Sequence, residues 1–378
     1  MKKCNVGVVG LGHRGRQMFT LAGQFECVNP VAACDLKPKN WYQKQWQAEK
    51  AMCDVFPAAT FYTDYDEMLQ KADLDAVIVE TGADIHARFC AKALEKNINV
   101  LTDIPVVANL QEADLLWKTA QKSRAILSVG ANPNEQKFVY LLKDFYESGK
   151  LGKPYYMEAE YLHWFYPDSA DWKGLTENGN WRNLLSPIRY CTHSLGPLLT
   201  ILGEDLRYVS CFGTGQHANA ADYAGDTDRD DMTCAQFQTE SGVVVRLLRN
   251  GRCRADVQGH NYRVFGTEGY MERIARMGKK VIRYNSEKAN KTLAEVGGES
   301  MPPAYANDPK ATGHGGIDYA IEDKFFKAVC GGLPAPISLK EGLRMTLPGI
   351  YAEESAKRGG QVLTMYYPWD PEWKTEIE

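Results

Sequence analysis

The chain of 378 residues carries 44 basic and 48 acidic side chains, for a formal net charge of −4, and 44% of it is hydrophobic. That length allows two domains with separate cores, and the near balance of charge, without any run of basic residues interleaved with aromatics, offers no general attraction to nucleic acid or an anionic membrane. No apolar run is as long as a membrane span, the first strand pattern starts close to Met1, and ten scattered cysteines contain no Cys-x-x-Cys pair, so the expectation is a cytoplasmic chain with reduced core thiols. From the start to about Gly130, short apolar strands alternate with amphipathic helices. The strands are expected over Asn5 to Val9, Val31 to Cys34, Thr60 to Tyr62, Ala76 to Glu80, Asn99 to Thr102 and Ala125 to Val129. This alternation predicts an α/β domain over 1–131 with a doubly wound parallel sheet, whose carboxyl edge carries Thr81, Asp103 and the segment around Ala131 and Asn132.

A helix over Gln136 to Ser148 and the breaker Gly149-Lys150-Leu151-Gly152-Lys153-Pro154 come next. The pattern then changes to longer, β-rich strands: Tyr155 to Trp164, Arg207 to Phe212, Met232 to Thr239, Gly242 to Asn250, Tyr262 to Gly266 and Lys280 to Tyr284. They predict a second, α+β domain over 132–378 built on an open, mostly antiparallel sheet, with hairpin turns at 238–242 and 266–269. The polar, proline-bearing stretch Asn285 to Thr312 reads as a surface loop, and helices are expected over Asp318 to Cys330 and Leu339 to Lys357.

The first strand runs straight into Gly10-Leu11-Gly12-His13-Arg14-Gly15, a Gly-x-Gly-x-x-Gly pattern. Glycine is needed for a different physical reason at each position, with a tight turn at Gly10, close approach of backbone to a pyrophosphate at Gly12, and packing of the following helix on the strand at Gly15. His13 and Arg14 add side-chain charge and donors there, while their backbone amides serve whatever the side chain. The second strand ends in Asp35, twenty residues beyond Gly15, where an acid accepts the adenosine ribose hydroxyls and repels a 2′-phosphate. The expected cofactor is NAD rather than NADP, although Lys37 and Lys39 lie close by and Asp35 is also placed to begin a turn before Pro38.

With these residues and the unit Val77-Ile78-Val79-Glu80-Thr81-Gly82-Ala83-Asp84-Ile85-His86 in view, the chain resembles the glucose-fructose oxidoreductase, inositol dehydrogenase and MocA family over essentially its whole length. The resemblance implies an N-terminal Rossmann domain for NAD(P), with His86 at a family position near the cofactor, and a C-terminal sheet domain for a sugar or polyol. It also implies a homo-oligomer formed through the outer face of that sheet. The family's loop after the fifth strand usually reads Glu-Lys-Pro, with its lysine near the reacting hydroxyl; Asp103-Ile104-Pro105 stands here and lacks that lysine. Tyr190-Cys191-Thr192-His193-Ser194-Leu195-Gly196-Pro197, Gly313-His314-Gly315-Gly316-Ile317-Asp318 and Ala159-Glu160-Tyr161-Leu162-His163 are similar to motifs of one branch, the NAD-dependent glycosidases of the α-N-acetylgalactosaminidase type. Cys191, Ser194 and Trp164 depart from that branch's residues.

Hydride transfer from a carbinol carbon needs a group that takes the hydroxyl proton. His193 is the candidate base, expected to open a helix capped by Thr192, whose positive end favours the neutral imidazole. Tyr190 would assist. His163 shares a strand face with Tyr161, away from Glu160 and Leu162, and is either a ligand in the site or a half-exposed strand histidine. Arg182 and Arg189 are candidates for holding substrate, or else form surface ion pairs. His314, among glycines, suggests close approach of backbone to a ligand, with Asp318 free to cap the next helix. No His-x-x-x-His or Cys-x-x-Cys appears and no metal is expected. Three functions remain open: an NAD-dependent dehydrogenase acting on a sugar or glycoside hydroxyl at C3, a redox-neutral glycosidase that oxidises, eliminates, adds water and reduces back, and a non-catalytic NAD- or sugar-binding regulator.

Overall fold

The computed structural model of the protein describes residues 3–45, 48–163, 185–217, 230–251, 259–276, 279–286, 294–297 and 303–378. They form two compact units, Met1–Ala131 with Ala304–Gly342, and Asn132–Pro303 with Leu343–Glu378. The chain does change unit after Ala131, but a second domain running unbroken from 132 to 378 is corrected: Ala304–Gly342 returns to the first unit. Its helix Ile317–Gly331 buries Ile321, Phe325 and Phe326, and Phe25 stacks on Tyr319 at 4.7 Å and meets Phe326 at 5.5 Å. An apolar helix face settles where its matching surface is, whatever the sequence distance.

In the first unit six strands, β1 (Cys4–Val9), β2 (Val28–Cys34), β3 (Thr60–Tyr62), β4 (Ala76–Val79), β5 (Asn99–Thr102) and β6 (Leu127–Val129), form a parallel sheet in the order β3-β2-β1-β4-β5-β6. All four residues of β4 are buried, as expected where helices cover both faces of a sheet. The strand order reverses between β1 and β4, and the helix His13–Ala22 begins just past the end of β1. At the far edge Val129 N donates to Ile337 O at 2.9 Å, so the returning segment also covers the last strand.

The second unit is a nine-stranded sheet of β7 (Pro154–Leu162), β8 (Leu206–Gly213), β9 (Met232–Thr239), β10 (Val244–Asn250), β11 (Gly259–Gly266), β12 (Gly269–Arg276), β13 (Lys279–Ser286), β14 (Ala294–Gly297) and β15 (Leu363–Thr364). Their order is β14-β13-β12-β11-β7-β10-β9-β8-β15, and β7 runs parallel to β10 while the other pairs are antiparallel. One face is apolar and carries Met157, Ala159, Val245, Leu247 and Val264. The opposite face is a charge ladder in which Glu158 meets Arg246 at 2.9 Å and Arg263 at 2.7 Å, and Glu160 meets Arg246 at 2.8 Å. Strand β14 lies inside the stretch expected as a surface loop. Strand β12 was not foreseen either, because Glu272 and Arg273 are buried in it and erase the alternation that marks a half-buried strand.

Candidate functional site

In the first unit the glycine pattern is a backbone cradle. Gly10 has φ +89°, and a Cβ there would lie 2.6 Å from Glu80 O. At Gly15 a Cβ would fall 1.8 Å from Gly10 O, so the helix could not seat against the turn. At Gly12, by contrast, a Cβ would meet nothing within 4 Å. Two glycines are thus required by the protein itself, and the middle one faces open space at a helix start, where amide donors and the dipole favour a phosphate. These features fit a dinucleotide pyrophosphate. Asp35 closes the loop from β2: its Oδ2 accepts from Leu11 N at 2.6 Å, and its Oδ1 accepts from Lys37 N at 2.7 Å. Each carboxylate oxygen has a second acceptor site, so ribose hydroxyls fit there as well.

The neighbouring side chains are engaged with one another. His13 Nε2 lies 2.9 Å from Gln17 Nε2. Arg14 grips Asp318 with Nη1 at 2.6 Å and Nη2 at 3.0 Å, and its Nε stands 3.5 Å from Asp103. His314, at φ +47°, places Nδ1 2.7 Å from Asp318 Oδ2. The expectation that Asp318 caps the next helix is corrected, since its carboxylate holds Arg14 and the capping residue is Gly316. Burial alone would raise the Asp318 carboxyl, but Arg14 outweighs it and holds Asp318 well below the usual carboxylate range. Glu80 moves the other way, raised well above the ordinary value by burial first and then by the charge of Asp103, to which it is hydrogen-bonded. Glu322 is fully buried with neither carboxyl oxygen hydrogen-bonded, and burial raises it as well. His86 is buried at the start of the helix His86–Glu95, with Nδ1 3.0 Å from Thr81 Oγ1.

The second unit gathers a different set. The short 3-10 turn Pro187–Tyr190 leads into the helix Thr192–Leu199, with His193 its second residue. Tyr190 Oη stands 3.4 Å from His193 Nε2, and the two rings meet edge-on with centroids 5.0 Å apart. The backbone of His193 is pinned from below, because buried Tyr262 Oη donates to its carbonyl at 2.7 Å. Tyr161 lies 5.6 Å from His193 and 5.3 Å from His163, so the strand face predicted for His163 does meet His193's surroundings. Glu160 is on the other face, held by Arg246. Thr192 is the first helical residue rather than the cap: Cys191 holds that position, and the Thr192 side chain is buried.

Two members of this cluster were missed. His260 on β11 stacks on Tyr161 at 3.9 Å and lies 5.4 Å from His193. Arg249 on β10 is buried, with its guanidinium 4.1 Å over the Tyr161 ring and 5.4 Å from that of Tyr190. The signal was available in period two, since His260 and Tyr262 share a strand face, but β11 was expected to start only at Tyr262. Arg189 is buried with Nη1 2.8 Å from Glu353, an ion pair rather than an outstretched donor. Asn132 opens the 3-10 turn Asn132–Glu135 and is buried. Arg182 lies outside the described residues. Among the described residues no group of three His, Cys, Asp or Glu side chains is arranged to hold a metal.

Residues 4–131 match the family model of an oxidoreductase family with an NAD-binding Rossmann fold, and residues 139–272 match the GFO/IDH/MocA C-terminal domain. A glycosyl hydrolase family 109 protein of Saccharopolyspora erythraea is 25% identical over 388 aligned residues, covering 93% of this chain and 80% of that protein. Glycosyl hydrolase family 109 protein 1 of Bacteroides thetaiotaomicron is 23% identical over 373, covering 88% and 78%. Among solved structures, levoglucosan dehydrogenase in complex with NADH and levoglucosan superposes with a TM-score of 0.79 at 17% identity, covering 96% of this chain and 99% of that one. A glycine cradle built for a dinucleotide and both family domains in order make this chain a member of the NAD-binding Gfo/Idh/MocA oxidoreductase family.

Proposed function

We propose that the protein oxidises the C3 hydroxyl of a sugar or glycoside, with His193 taking the hydroxyl proton, Tyr190 assisting it and His163 completing the group. NAD supplies the acceptor for the carbinol hydrogen and its electron pair. The observation that carries the reading is the Tyr190 Oη to His193 Nε2 approach of 3.4 Å. The helix start orients that imidazole, and its positive end favours the neutral form that can accept a proton. Ile104, buried where the family usually has lysine, leaves the imidazole as the proton acceptor.

A second reading is supported by the relatives named glycosyl hydrolases and by the third imidazole, His260, 5.4 Å from His193. Oxidation at C3 makes the C2 proton acidic. Its removal expels the aglycone across C1–C2, water adds to the resulting double bond, and the hydride returns to C3, which asks for more proton-handling groups than a single oxidation. A panel of glycosides assayed with NAD separates the two. The dehydrogenase accumulates NADH, whereas the redox-neutral glycosidase releases aglycone and exchanges the C2 hydrogen with solvent without net NADH. Tight NAD binding with neither outcome across the panel would refute both.

A further inference from the structure

We propose that Tyr262 is a positioning residue for His193, supplying from β11 the hydrogen bond that Pro197 denies to the helix carrying the imidazole. The inference rests on the reading of His193 as the proton acceptor. In an α-helix each carbonyl accepts from the amide four residues on, so the carbonyl of His193 would be served by residue 197. That residue is Pro197, inside the helix Thr192–Leu199, and it has no N–H to donate. Its ring also crowds the carbonyl four residues back. Tyr262 Oη donates to this same oxygen at 2.7 Å, in a buried contact between residues 69 apart in the chain.

The donor is itself held in place. Tyr262 is fully buried, and its ring lies 13° from parallel to that of Phe138, with centroids 5.2 Å apart, on the helix Lys137–Glu147. Along β11 it is two residues from His260, on the same strand face, and the two rings are 3° from parallel. β11 pairs with β7 so that Tyr262 stands opposite Ala159 and His260 opposite Tyr161. One hydroxyl thus ties the backbone of His193 to the strands that carry Tyr161 and His260, whose rings lie 5.6 and 5.4 Å from the imidazole. Losing it releases the first turn of the helix, and with it the 3.4 Å approach of His193 Nε2 to Tyr190 Oη. A misplacement of about 1 Å at a reacting group costs on the order of a hundredfold in rate, so a loss of roughly ten- to a hundredfold is expected from a hydroxyl buried beneath the imidazole.

The test compares the wild type with Tyr262→Phe, Pro197→Ala and the double variant Tyr262→Phe/Pro197→Ala. Tyr262→Phe removes only the hydroxyl, and Pro197→Ala gives the helix back an amide able to reach the same carbonyl. His193-Ser194 is the one His-Ser pair in the sequence, so protein labelled with carbonyl-13C histidine and 15N serine gives a single carbonyl resonance that reports this hydrogen bond. In Tyr262→Phe that resonance should move upfield, and the His193 imidazole resonance, assigned by its loss in His193→Gln, should shift. Turnover of a panel of p-nitrophenyl glycosides with NAD, read as NADH and released nitrophenol, should fall roughly ten- to a hundredfold with NAD affinity unchanged. The double variant should match Pro197→Ala within about threefold, because the restored amide replaces the lost hydroxyl. An unmoved carbonyl resonance in Tyr262→Phe overturns the proposal, as does a moved carbonyl with imidazole resonance and turnover unchanged, or a double variant no better than Tyr262→Phe. Should Tyr262→Phe fail to fold, a double variant that folds and behaves like Pro197→Ala carries the proposal, and one that does not overturns it. If the wild type turns over no glycoside, the reading of His193 as base fails separately, and the carbonyl and imidazole resonances still decide whether Tyr262 positions it.

Discussion

Replacing Gly12 by alanine separates what the protein needs from what its cofactor needs. The residue has φ −60° and ψ −174°, a conformation open to any L-residue, and the added methyl would touch nothing within 4 Å. The folded protein should therefore accept it, with a gain of about 0.4–1 kcal/mol from the stiffer unfolded chain. The bound pyrophosphate should not, because the methyl occupies the space through which it reaches the amides at the start of the helix His13–Ala22. Losing one hydrogen bond to a charged group costs about 1.5–3 kcal/mol, a drop in NAD affinity of roughly 10- to 150-fold. Gly15→Ala is the contrast, since its methyl would sit 1.8 Å from Gly10 O and the backbone must move, so stability should fall along with affinity. Urea midpoints and calorimetric titration with NAD measure the two quantities independently. If Gly12→Ala binds NAD within a factor of about two of wild type, or unfolds at markedly lower urea, no phosphate approaches there and the cradle has been misread.

Glu322→Gln should reveal a proton taken up on folding. Burial raises the native carboxyl well above the usual glutamate range, while unfolded glutamate titrates near about 4.3, so this group's contribution is complete below that pH and is lost as pH rises toward the folded value, by about 1.4 kcal/mol per unit. The stability of Glu322→Gln relative to wild type should consequently rise between pH 5 and pH 8 in urea titrations, and a flat difference would mean the carboxyl is charged in the native state. His193→Ala should lower turnover by about 10²- to 10⁴-fold with NAD affinity retained, and a near-native rate would remove it as the base. Asp35→Ala should weaken NAD more than NADP, because it removes the ribose acceptor and the repulsion of a 2′-phosphate together; equal losses would leave Asp35 only as the partner of Leu11 N.

The parallel sheet was legible because its strands are continuous apolar runs separated by helical periodicity, and because glycine at positions 10, 12 and 15 answers three separate steric demands. Pairings between distant charges were not. Arg14 and Asp318 stand 304 residues apart, and nothing in their local patterns says that the helix Ile317–Gly331 belongs with the glycine loop. Aromatic content was the available hint, since Tyr319, Phe325 and Phe326 need a larger apolar surface than one helix can cover by itself. Around His193 the motif found the residue and its tyrosine, but the start of the helix was displaced by one position. A threonine before a histidine reads as a cap whether its hydroxyl reaches back to the amides or, as here, is buried inside the first turn.

Ile104, buried where the family resemblance places a lysine, removes a cation from the end of β5. A lysine beside the reacting hydroxyl would stabilise an alkoxide and, by the same field, disfavour the positively charged oxidised ring. With Ile104 buried in its place, the cation beside Asp103 among the described residues is Arg14, which Asp318 already holds. Under the proposed function, proton acceptance falls to His193 with Tyr190 beside it. Under that reading the glycine cradle and the Asp35–Leu11 contact serve the cofactor, and the rings of Tyr161, His193 and His260 serve the proton, so losing the loop lysine need not disturb either set.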